Sequence, residues 1–64
     1  MESFGARLRR LRRAAGLTQE TLAEASGLSA QAVGALERGE RRFPHRETLD
    51  RLADALDLAG DART

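Results

Sequence analysis

With 64 residues and no cysteine, the chain has room for one domain and neither a disulfide framework nor a thiolate zinc site to staple it, so compactness must come from packing. Two Phe and no Trp or Tyr leave Leu and Ala to fill a core; no apolar run approaches the roughly 20 residues of a bilayer span, and the N-terminus lacks a secretory signal. A formal net charge of +1 does not by itself announce a polyanion partner, so the placement of the charges carries the information.

That placement is uneven. Residues 1–13 carry five Arg against one acid, 14–37 none against three, 38–46 four against one, and 47–64 two against five. Such segregation can orient a near-neutral domain on a polyanion. The alternative is that the Arg-rich faces are solvated surface. The absence of Lys is also what a G+C-rich coding genome would produce.

Helix one is predicted from a Ser3 cap to Ala15 (about 3–15), with Phe4, Leu8, Leu11 and Ala15 at i, i+4, i+7, i+11 on one face and Arg7, Arg9, Arg10 and Arg13 largely off it. Thr18 caps a second helix over about 18–26, Gly27 supplies the positive φ that ends it, and Ser29 caps a third over about 29–38. Leu22, Ala23, Val33 and Leu36 can face inward where these two cross. So short a connection forces a steep crossing, which lets the later helix project far enough to enter a DNA major groove. Gly39 to His45 read as a loop carrying Arg41 and Arg42, with Pro44 barring any helix from running back through it. Helix four is expected over about 46–58, turning Leu49, Leu52, Ala53 and Leu56 to the core and Asp50, Asp54 and Asp57 to solvent, with Gly60 ending it.

The succession TQETLA, SGLS, AVGALERG resembles the phage-repressor and Cro class of helix-turn-helix domains, the xenobiotic-response-element family. The resemblance takes in Leu11-Arg12, Gly16, Thr18-Gln19, Leu36-Glu37-Arg38-Gly39, and Thr48-Leu49 through Ala53-Leu56. It implies an all-α, lambda-repressor-like bundle of four short helices, or five, over residues 1–64. Family members commonly continue into a fifth helix that closes the core and forms a dimer contact. In this chain it is missing or cut short, so the chain reads as the N-terminal module of a longer regulator, with any homodimer on DNA formed outside the chain or at its C-terminal end.

For base contacts the resemblance points to Ala30, Gln31, Gly34 and Ala35, and the spacing agrees. With Val33 and Leu36 inward, the outward stripe is Ala30, Gln31, Gly34, Ala35 and Arg38. Gln31 can bond adenine bidentately, and the alanine methyls can touch a thymine methyl. One amide among small residues is thin equipment for base readout. Packing of the stripe on another protein is the competing explanation.

Phosphate contacts are better supplied. Gln19 matches the family's phosphate-clamping glutamine, and the exposed amides where Thr18 and Ser29 open their helices add anion affinity, with Arg38 on the stripe. Arg41, Arg42 and His45 match the family's basic loop; His45 can equally be a poor cap of helix four. Arg12 and Glu37 resemble an internal pair that fixes the third helix and does not touch DNA.

Enzyme chemistry finds no purchase: one His, no Cys and no His-carboxylate spacing leave no metal site or nucleophile relay. No cofactor is expected. The function read from the sequence is sequence-directed double-stranded DNA binding by a cytoplasmic, nucleoid-associated transcriptional regulator. The rival is an antitoxin- or anti-regulator-type module that docks a protein through the Ala-rich face.

Overall fold

Ser3, Thr18 and Ser29 each stand in extended backbone, and each accepts a hydrogen bond from an amide three residues on, so three helices start on a side-chain oxygen. The computed structural model describes residues 2–40 and 45–57, together with the backbone of 58–63. It contains α1 (Phe4–Ala14), α2 (Gln19–Ser26), α3 (Ala30–Glu37) and α4 (Arg46–Arg63), and no strand among the described residues. The expected loop residues Arg41, Arg42 and Pro44 lie outside the described residues.

Leu8, Leu22, Ala23, Val33, Leu36, Leu52 and Ala55 form the core, with Leu17, Leu28, Ala30 and Leu56 packed against its edge. Helix α2 lies against both α3 and α4, and α1 against α3. The closest approach is at Gly5. A Cβ there would sit 2.5 Å from the Glu37 carbonyl oxygen and 2.6 Å from that of Leu36, so α1 reaches the end of α3 only because Gly5 has no side chain.

Three sequence expectations need correction. The buried stripe of α1 is Gly5, Leu8 and Arg12, whereas Phe4 and Leu11 stay 37% and 38% exposed. On α4 the buried residues are Leu52 and Ala55, while Leu49 is 38% exposed and Ala53 is open to solvent. The apolar arc of α4 is wider than the surface that α2 offers it. Its remainder (Leu49, Ala53 and Leu56) faces Phe4 and Leu11 across an apolar groove. Finally, Gly60 does not end α4, which runs to Arg63; one glycine in a helix costs about 1 kcal/mol, too little to break it.

Candidate nucleic-acid interface

The turn between α2 and α3 is closed at Gly27, whose φ of +74° lets the Leu28 amide bond back to the Ala23 carbonyl at 2.9 Å. On its far side Thr18 and Thr21 form a reciprocal cap at the start of α2: the Thr18 side chain accepts from the Thr21 amide at 3.0 Å, and the Thr18 amide donates to Thr21 Oγ1 at 2.8 Å. At α3 the Ala32 amide donates to Ser29 Oγ at 3.0 Å. These caps satisfy only the third amide of each helix. The first two, those of Gln19 and Glu20 and of Ala30 and Gln31, remain free to meet an anion.

The open face of α3 is lined by Ser29, Gln31, Ala32, Ala35, Arg38 and Glu40. It differs from the expected stripe in two places. Gly34 is buried: a Cβ on it would meet Arg38 Nη1 at 3.0 Å and Gln19 Oε1 at 3.5 Å, so these two side chains cover it. Ala30 is half-buried and packs on the core. Ala32 takes their place, one turn before Ala35. The sequence did not single out Ala32 because an alanine carries no patterning signal of its own. Gln31 is exposed, and Arg38 is ion-paired with Glu40, both side chains more than half exposed.

Behind this face lies a cluster built on one carboxylate. The Glu37 side chain has no solvent exposure and that of Arg12 has 11%. Arg12 Nε donates to Glu37 Oε2 at 2.6 Å and its Nη2 to Oε1 at 3.1 Å, while its Nη1 reaches the Leu17 carbonyl at 3.0 Å. Gln19 Nε2 donates to the same Oε1 at 3.1 Å, and Arg9 Nε approaches it at 3.4 Å. One acid thereby joins α1, α2 and the end of α3. Burial pushes the Glu37 carboxyl up, but hydrogen bonds from Arg12 and Gln19, the Arg12 charge and the Arg9 contact outweigh it, leaving the carboxyl below its ordinary value. Arg9 was not foreseen in this role, although three residues before Arg12 is one helical turn and puts both on the same side of α1.

His45 is exposed and its carbonyl accepts the Leu49 amide at 3.1 Å, which makes it the first carbonyl of α4. Among the described residues no cluster of His, Cys, Asp or Glu could hold a metal, and no helix is long and apolar enough to cross a membrane.

A helix-turn-helix domain family model matches residues 3–64. The chain is 45% identical over 58 residues to the HTH-type transcriptional repressor RghR of Bacillus subtilis, covering 91% of this chain and 43% of that protein. It is 38% identical over 60 residues to an uncharacterized HTH-type transcriptional regulator of the same organism, YazB, covering 94% and 86%. Among solved structures it is similar to the restriction-modification controller protein C.AhdI of Aeromonas hydrophila, with a TM-score of 0.80 and 54% identity over 84% of this chain and 80% of the other. The chain thus spans less than half the length of RghR.

Proposed function

We propose, from the premise that this chain belongs to the helix-turn-helix domain family, that it binds double-stranded DNA by laying the open face of α3 in the major groove, as the DNA-targeting part of a transcriptional regulator. The observation that carries this is the α2–α3 pair itself. Two capped helices present free N-terminal amides on either side of an exposed, small-residue helix face, with Gln19 and Arg38 at its edge. Gln31 supplies the base-reading amide, with Ala35 and Ala32 beside it; Thr18, Gln19, Ser29, Arg38, Arg41, Arg42 and His45 serve the phosphates. The relatives are named as transcriptional regulators, a non-enzymatic class. This reading puts the protein on nucleoid DNA in the cytoplasm.

A homodimer on DNA belongs to the same proposal. The groove between α1 and α4 has an Arg7 rim on α1, and a neighbouring hollow that shares Leu11, Ala53 and Leu56 with it is edged by Asp57 on α4. A two-fold axis would set the basic rim of one copy against the acidic edge of the other. Sedimentation at rising protein concentration checks this.

The deciding experiment is the salt dependence of binding to mixed-sequence duplex DNA. Phosphate contacts give a steep fall of affinity with salt. A chain that ignores duplex DNA, yet retains a protein partner through an apolar contact with a flat salt response, would favour the protein-docking reading.

A further inference from the structure

We infer that Arg9 is a phosphate-contacting residue, held beside Gln19 by Glu37. This rests on the DNA-binding reading above and adds a residue of α1 to the interface. Arg12 commits all three of its guanidinium nitrogens inside the protein, two to Glu37 and one to the Leu17 carbonyl. With its side chain only 11% exposed, its remaining N–H groups are turned away from any ligand in solvent. Arg9 is different. Only its Nε is engaged, at the long distance of 3.4 Å, its side chain is 45% exposed, and its two terminal nitrogens have no hydrogen-bond partner among the described residues.

Arg9 and Gln19 point at the same atom, Glu37 Oε1, from α1 and from the start of α2. Two donors that share one acceptor oxygen are close enough for a single phosphate to bridge them. Gln19 also opens α2, where its own amide and that of Glu20 lie ahead of the first intrahelical bond. The charges also favour an anion, since Arg9 and Arg12 together outnumber Glu37 and leave the cluster one positive charge in excess. Other α1 arginines are placed differently. Arg10 is taken by Glu2 in two 3.0 Å hydrogen bonds, and Arg7 borders the apolar groove. Glu37 therefore buries one arginine and aims a second.

The test titrates the 64-residue chain and its Arg9→Ala, Arg9→Lys and Arg13→Ala variants onto a labelled mixed-sequence duplex between about 50 and 200 mM salt. Arg13 is an exposed cation on the same helix whose side chain makes no hydrogen bond among the described residues. The expected result is a salt slope flattened by about 0.9 in Arg9→Ala, so that wild type loses roughly threefold more affinity than the variant over that range. Arg9→Lys should keep most of the slope and Arg13→Ala all of it, with the thermal melt of Arg9→Ala close to wild type. An unchanged slope in Arg9→Ala, or an equal flattening in Arg13→Ala, overturns the Arg9 assignment while DNA binding stands. A wild-type chain without affinity for the duplex overturns the DNA-binding reading itself.

Discussion

Arg12 on α1 and Glu37 at the end of α3 stand 25 residues apart in sequence and close a two-bond pair at 2.6 and 3.1 Å, with the Glu37 side chain out of contact with water. Such a pair fixes an angle more than it adds net stability, because desolvating both charges offsets most of their attraction. Losing one partner is a different matter, since the other is then buried without compensation.

Arg12→Ala and Glu37→Ala are each expected to cost about 3–5 kcal/mol, enough to unfold much of a domain this small. The double variant should cost far less than the two losses combined. Urea melts of all three, with wild type, give the coupling; additive losses would mean that the bonds carry no mutual energy.

The same carboxylate sets an acid limb. Its pKa is lower in the folded chain than in the unfolded one, so the stability it contributes is complete at neutral pH and drains away as pH falls through and below the ordinary glutamate value of 4.5. Glu37→Gln should lower stability at pH 7 and flatten the decline below that value. Thermal melts across the acid range check this, and equal slopes in both proteins would assign the limb to other acids.

Gly5→Ala sets helix propensity against packing. Alanine gains about 1 kcal/mol in a helix interior, but its Cβ would stand 2.5 Å from a backbone oxygen that cannot swing away. Overpacking of that kind costs about 1–3 kcal/mol, and the clash is expected to win. A lowered urea midpoint is the expected result; a raised one would show that α1 can slide on α3.

Gly34→Ala should behave in the opposite sense. Its new Cβ meets the end of a flexible Arg38 side chain at 3.0 Å and Gln19 at ordinary contact distance, so Arg38 gives way and most of the propensity gain survives. Melting temperature should rise, while duplex affinity falls modestly because Arg38 has moved. Gly34→Leu would displace both side chains and weaken binding further. Unchanged affinity in the leucine variant would remove Arg38 and Gln19 from the interface.

Gln31→Ala should relax discrimination at one base position by about 1–3 kcal/mol and leave affinity for random duplex nearly intact. Selection of bound sequences from a random pool tests this. An identical preference in both proteins would shift specificity to the shape and deformability of the DNA.

What the sequence made legible was local chemistry. Ser3, Thr18 and Ser29 announce helix starts because a hydroxyl one step before a helix has a bond to accept, and Gly27 announces the turn because glycine adopts positive φ without strain. Leu22, Ala23, Val33 and Leu36 were readable as the inward set because α2 and α3 pack on more than one neighbour and bury what periodicity predicts. Helices α1 and α4 are covered on fewer sides, so their apolar arcs exceed their partners' area, and periodicity alone cannot say which part of an arc wins. Gly5, Gly34 and Ala55 escape because a small residue is buried by what comes near it. Arg9 escapes because its role depends on where α1 meets α3, a tertiary distance that no local pattern encodes.

The thinly furnished face of α3 has an evolutionary consequence. Gln31 hangs in solvent, and Ala32 and Ala35 line an open groove outside the core cluster. Surface changes away from caps and buried partners usually shift stability by no more than about 0.5 kcal/mol, whereas one well-placed polar side chain is worth about 1–3 kcal/mol of base discrimination. If this face reads bases as proposed, a lineage carrying the domain can change its target by single substitutions that folding barely registers. Folding and target choice then rest on different residues, and new specificities are within reach of neutral exploration.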